Sequence, residues 1–82
     1  MVHKNKPPKS MIVNLHAGDV FHSSHWELTH TSKGQDPMKV VEKVTDRYIE
    51  KGYVDKEDRT AVIKKAKIYM DEFIKKHGKP PK

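Results

Sequence analysis

Histidine is the residue type in this sequence that could most readily do chemistry, because four of the six histidines lie within fifteen residues: His16, His22, His25 and His30. Neutral imidazole is a common metal ligand, and Asp19 or Glu27 could complete a tetrahedral zinc site. On an extended strand His22 and His30 would stand about 26 Å apart, at about 3.3 Å per residue. On a helix His25 and His30 would point about 140° apart. Only a site of His16, His22 and one loop ligand fits both arrangements, so we expect polar surface histidines and no bound metal or other cofactor.

A second group has the residue types of a hydrolytic triad: Asp19, His22 or His25, and Ser23 or Ser24. A triad needs a base that is oriented by the acid, and an oxyanion hole nearby, usually in a cleft. On extended backbone these close neighbours point to alternate faces and cannot converge. A chain of 82 residues also offers little volume for a pocket. We therefore expect no enzymatic activity.

The positive charge of the sequence is concentrated at its two ends. Five of the six excess charges are Lys4, Lys6 and Lys9 in residues 1–10 and Lys79 and Lys82 in residues 79–82. The stretch between them, residues 11–78, carries 12 basic and 11 acidic residues and is close to neutral. Both ends contain proline and little apolar surface, which predicts that they are flexible.

Nucleic-acid recognition has weak support from the residue types. Arginine, whose planar fork reads guanine and clamps phosphate, occurs twice against fifteen lysines. A helix-turn-helix in the second half would place Asp55, Glu57 and Asp58 at the start of the recognition helix, where they would face phosphates. Lysine-rich ends can still associate non-specifically with polyanions, and salt weakens that association steeply.

The elements that must position these residues are less clear in the first half of the chain than in the second. In residues 11–15 three apolar side chains stand at alternate positions, so they would share one face of a short strand. Residues 16–19 favour a turn because they contain Gly18 and Asp19. Residues 20–22 then complete a predicted β-hairpin.

Residues 23–34 match two descriptions. Ser24 and Glu27 have the spacing of a helical capping box. Thr29 and Thr31 are β-branched and favour a strand. Between the two we predict a strand.

The second half has clear helical spacing. Asp36-Pro37 predicts a helix start, with the acid as N-cap and proline at the first position, and Gly52 predicts its end. Asp55 opens a second predicted helix that ends before Gly78. Their apolar stripes are Val40, Val41, Val44 and Tyr48 in the first helix and Val62, Ala66, Tyr69 and Phe73 in the second. The short link between them predicts an antiparallel helical hairpin.

These elements predict an α+β fold of the order ββαα. A small N-terminal β-hairpin is expected to pack against the C-terminal two-helix hairpin and to cover its apolar stripes. The predicted single domain spans residues 11–78, between flexible basic tails at residues 1–10 and 79–82.

The predicted function is that of a small non-enzymatic regulator, an inhibitor or adaptor that binds a larger protein. The body is near neutral, it lacks convergent catalytic groups, and Ala61 and Ile68 add apolar surface outside the stripe of the second helix. The predicted contact residues are Trp26, Tyr53, Arg59, Lys64, Lys67 and Ile68. Small size and a lysine-rich, cysteine-free composition also match regulators of phages and mobile elements.

The alternative function, from another class, is nucleic-acid binding by the basic tails and the lysine face of the second helix. Homodimerisation through the helical hairpin is compatible with both functions. Uninterrupted apolar runs do not exceed three residues, so no membrane span is expected. The sequence has no cysteine, and we expect a cytoplasmic location.

Overall fold

Three helices make up most of the residues that the structure, a computed structural model, describes, namely 8–78. The helices are α1 (Lys9–His30), α2 (Pro37–Glu50) and α3 (Arg59–His77). A single 3-10 turn, Lys56–Asp58, leads into α3. Each helix contacts the other two, so the arrangement is a three-helix bundle. None of the three is long and apolar enough to cross a membrane.

The predicted β-hairpin and the α+β class are wrong, because the part of the chain that the structure describes contains no strand. Both predicted strands of that hairpin and their turn lie in α1. The core-facing side chains of α1 recur at helical spacing: Val13, Ala17, Val20, Ser24 and Leu28. This stripe runs through the predicted turn, where Gly18 and Asp19 continue the helix. The strand prediction for residues 23–34 fails with it.

Ser24 and Glu27, whose spacing matches a capping box, do not form one in α1. The Ser24 hydroxyl donates a hydrogen bond to the Val20 carbonyl oxygen at 2.7 Å, one turn earlier in the same helix. The Glu27 side chain points to α2, where its carboxylate accepts a hydrogen bond from Arg47. At the C-terminus of α1 the backbone closes the helix, since the amides of Thr31 and Ser32 donate to the Glu27 carbonyl oxygen.

The two helices predicted for the second half are present. Asp36 caps α2, its carboxylate accepting a hydrogen bond from the Met38 amide at 3.0 Å, and Pro37 is the first helical residue. Gly52 follows the end of α2 with φ +84°, a conformation that glycine adopts without steric penalty. The predicted helical hairpin of α2 and α3 is therefore confirmed, but a third helix, α1, covers its apolar side in place of the predicted β-hairpin.

The core lies between the three helices and under the link from α2 to α3. Its buried members are Ala17, Val20, Leu28, Val40, Val41, Val44, Val54, Val62, Ala66 and Met70. Phe21 extends it, with ring centroids 6.4 Å from Tyr69 and 5.8 Å from Phe73. α1 thus supplies the cover that the hairpin stripes need.

Ion pairs hold α1 near both of its ends. Lys9 Nζ lies 3.2 Å from the nearly buried Asp58 carboxylate and 3.6 Å from that of Glu57, next to the start of α3. The hydrogen bond to Asp58 is the main reason that the pKa of Lys9 is raised. Near the other end, Glu27 pairs with Arg47 of α2. The tails predicted at 1–10 and 79–82 lie outside the described residues, except for 8–10.

Candidate functional site

The outward side of α1 carries large apolar residues. Met11, Leu15, Gly18, His22 and Trp26 recur every three or four residues, opposite the core-facing side of the helix, and we call them the α1 outer face. Met11 is 51% exposed, Leu15 62% and Trp26 54%. Apolar side chains that cluster on the surface often mark a contact site for another molecule.

This helix is also nearly free of charge. Its 22 residues include only Lys9, Asp19 and Glu27 as formally charged side chains, whereas the 19 residues of α3 include eight. Lys9 and Glu27 are engaged in the ion pairs near the two ends of α1. Asp19 is therefore the one formal charge along the middle of the helix. Loss of charge together with Trp and Met is the composition of the centre of protein interfaces.

Trp26 is held in place by its own helix. Its ring stacks on the His30 imidazole, with centroids 4.3 Å apart and planes 6° from parallel. His30 Nδ1 lies 2.9 Å from the Trp26 carbonyl oxygen, which fixes the imidazole in turn. An ordered, half-exposed indole loses little side-chain entropy when a partner covers it.

Gly18 lies in the middle of the α1 outer face, where packing within the protein does not require a glycine. A Cβ atom placed there would meet nothing within 4 Å. Glycine inside a helix costs about 1 kcal/mol relative to alanine. The gap leaves room for another surface to approach the α1 backbone closely.

The Gly18→Ala substitution should therefore stabilise the protein. We expect the free energy of unfolding to rise by about 0.5–1 kcal/mol, because alanine restricts the unfolded chain and clashes with nothing. Urea unfolding followed by circular dichroism measures the change. The matched control is Gly52→Ala, which should destabilise by about 1–2 kcal/mol because this residue has positive φ. A loss of stability in Gly18→Ala would contradict the described environment of Gly18.

Next to the α1 outer face, an open cleft of about 490 Å³ is bordered by α1, the end of α2 and the link that follows α2. The residues that line it, which we call the tyrosine cleft, are His16, Asp19, His22, Ser23, Tyr48 and Tyr53. The hydroxyl groups of Ser23 and Tyr48 share a hydrogen bond. The Tyr48 and Tyr53 rings meet edge to face, with centroids 5.5 Å apart. His22 belongs to both surfaces, so they are continuous.

The helix brings together side chains that the strand prediction held apart. Asp19, His22 and Ser23 line one cleft, although Ser23 bonds to Tyr48 and not to an imidazole. No three of the His, Asp and Glu side chains within residues 8–78 have an arrangement that could hold a metal ion. The cleft offers hydroxyl, imidazole and carboxylate groups to a ligand.

The six predicted contact residues fall into separate regions. Tyr53 lies in the tyrosine cleft with His22, and Trp26 follows His22 by one turn of α1. Arg59, Lys64 and Lys67 line a second cleft of about 380 Å³, together with Glu42. Ile68, half exposed, does not line either cleft. Sequence reasoning missed four members of the α1 outer face as contact residues, namely Met11, Leu15, Gly18 and His22, whose helical spacing was the available signal.

Two of the three predicted cations on α3 are used to join α3 to α2. Arg59 donates to both carboxylate oxygens of Asp46, at 2.6 and 3.2 Å, and this pairing lowers the pKa of Asp46 and raises that of Arg59. Lys67 Nζ lies 2.6 Å from the Glu42 carboxylate, and its hydrogen bond lowers the pKa of Glu42. Among the three, only Lys64 has no ion pair with any residue of 8–78.

Comparison with protein-family models, with curated proteins and with solved structures finds no match for this chain. Its function must therefore be inferred from the geometry. The two surfaces with the clearest binding chemistry, the α1 outer face and the tyrosine cleft, share His22 and lie on the same side of the bundle.

Proposed function

We propose that the protein is a small non-enzymatic regulator that binds a larger protein through the α1 outer face. The observation that carries this proposal is an ordered, half-exposed tryptophan on a helix face that lacks cations. Tryptophan is among the commonest energetic anchors of protein interfaces.

The geometry fits binding in which a helix enters a groove of the partner. Such helices present apolar anchors at spacings of three, four and seven residues. Met11, Leu15, His22 and Trp26 follow one another along α1 at intervals of four, seven and four residues, and Met11, Leu15 and Trp26 supply the apolar side chains. A helix of 22 residues is about 33 Å long at 1.5 Å per residue. The partner supplies the apolar groove, and the rest of the bundle holds the helix rigid before binding.

Charge favours a protein over a nucleic acid as the partner. Nucleic-acid binding rests on cations that neutralise phosphates. The α1 outer face has none, and Arg59 and Lys67 are already paired with acids of α2. An apolar groove that covers such a face removes no cation from water.

A pull-down with matched variants tests the proposal. The tagged full chain is incubated with nuclease-treated lysate and washed at two salt concentrations, and an untagged copy of the chain is included. Leu15→Lys places a charge in the α1 outer face, whereas Lys64→Glu changes an exposed residue of α3. We expect one stoichiometric protein that Lys64→Glu retains and Leu15→Lys loses.

Three results would contradict the proposal. The bound protein could survive Leu15→Lys at wild-type amounts. The bound material could disappear with nuclease or salt, which would favour a nucleic acid. The protein that the tagged chain captures could be the untagged copy, and Leu15→Lys could release it. A second copy of the chain would then be the occupant of this face.

A further inference from the structure

We propose that the tyrosine cleft receives a basic side chain of the partner protein, an arginine in preference to a lysine. This inference rests on the proposed function, because the cleft adjoins the α1 outer face and shares His22 with it. A protein that covers the α1 outer face brings its own side chains to the mouth of the cleft.

Asp19 gives the cleft its charge preference. It is the only lining residue with a formal charge at neutral pH, and it is exposed. Seven of the eleven acidic residues of the chain form ion pairs within the described part, and Asp19 does not. The net charge of the protein is +6, but an unpaired carboxylate makes the potential around Asp19 locally favourable for a cation.

The two tyrosines favour a planar cation. Tyr53 is 60% exposed, and its ring meets Tyr48 edge to face, so aromatic surface borders the cleft. A guanidinium stacks on an aromatic ring and is attracted by its electron-rich face. An ammonium group makes the electrostatic contact without the stacking, which is why arginine is preferred.

Two further lining groups, the hydroxyls of Ser23 and Tyr48, accept hydrogen bonds. The shared hydrogen bond of Ser23 and Tyr48 leaves oxygen lone pairs for a donor. His16 Nδ1 is buried and has no partner within residues 8–78, so this nitrogen is closed to a ligand in the cleft. A guanidinium carries five N–H donors, which suits a carboxylate surrounded by such acceptors.

An NMR titration of the full chain tests the cleft without the partner. The probe is arginine blocked at both ends, and the control probe is blocked citrulline, which has nearly the same shape but no charge. At pH 7 we expect blocked arginine to shift the backbone amides of Asp19, His22 and Tyr53, with saturation at about millimolar concentrations. Citrulline should bind at least about 10-fold more weakly, because it lacks the charge that Asp19 recognises.

Matched variants show whether the carboxylate is responsible. Asp19→Asn should weaken binding of blocked arginine about 10-fold. Glu72→Gln, which removes an exposed carboxylate from another cleft on α3, should leave it unchanged. Equal binding of citrulline, equal loss in Glu72→Gln, or no shifts at Asp19 and Tyr53 would overturn the inference. Tighter binding of unblocked arginine would overturn the assignment to a partner side chain.

The two proposals fail in different experiments. If the titration succeeds and the pull-down yields no partner that depends on Leu15, the cleft binds guanidinium but the proposed function is wrong. If the pull-down succeeds and the titration fails, the α1 outer face binds a protein and the cleft has no part in selecting a basic residue.

Discussion

The Arg47→Met variant is expected to lose about 2–3 kcal/mol of unfolding free energy, because the Glu27 carboxylate would remain buried without its cation. Glu27 is only 8% exposed, and its carboxylate joins the C-terminal part of α1 to α2 through the ion pair with Arg47. The Arg47 side chain is 40% exposed, so water replaces part of the interaction and the loss falls below that of a fully buried pair. For a domain of this size the melting temperature should fall by roughly 10–20 °C.

A double variant separates the buried charge from lost packing. The double variant Glu27→Gln/Arg47→Met removes both charges and should recover about half of the loss. A loss below about 0.5 kcal/mol in Arg47→Met, or no recovery in the double variant, would contradict a buried charge at Glu27.

The Trp26→Ala variant is expected to weaken binding of the partner by about 30-fold or more, equivalent to about 2 kcal/mol. Its unfolding free energy should change by less than about 1 kcal/mol, because the indole is half exposed and faces away from the core. The matched control is Ile68→Ala, which removes a half-exposed apolar side chain from α3 and should leave affinity unchanged. Isothermal titration calorimetry with the captured partner measures the affinity of both variants. A larger effect of Ile68→Ala would place the interface on α3.

Sequence reasoning succeeded where local signals agree with the packing. In α2, Asp36 caps the helix, Pro37 begins it, and Val40, Val41 and Val44 lie on one buried side. Capping, proline position and apolar spacing all give the same answer there, so the helix could be predicted. Gly52, with its positive φ after the last turn, marks the end of that helix.

The same reasoning failed on α1 because apolar residues lie on two of its sides. Val20 and Leu28 face the core, while Leu15 and Trp26 face outwards, so the apolar residues do not form the single stripe from which a helix is predicted. Ser24 further obscures the pattern, since it is a buried polar residue whose hydroxyl bonds within the helix. The feature that hid the helix, an apolar outward side, is the feature from which we propose its function.

The tyrosine cleft could not be predicted without the helix. His16, Asp19 and Ser23 share one side of α1 at spacings of three and four residues, whereas a strand divides them between two faces. Tyr48 and Tyr53 reach the cleft from α2 and from the link that follows it, and no local pattern connects them to α1. The exposure of Tyr53 and the lack of an ion pair at Asp19 within residues 8–78 were visible only in the fold.

Site-specific photo-crosslinking tests the central claim most directly. The photoreactive residue p-benzoylphenylalanine replaces His22 in one variant and Lys64 in another, both exposed positions, one on the α1 outer face and one on α3. Each variant is irradiated with the captured partner. We predict a crosslinked product from position 22 and none from position 64, and crosslinking from position 64 alone would contradict binding through the α1 outer face.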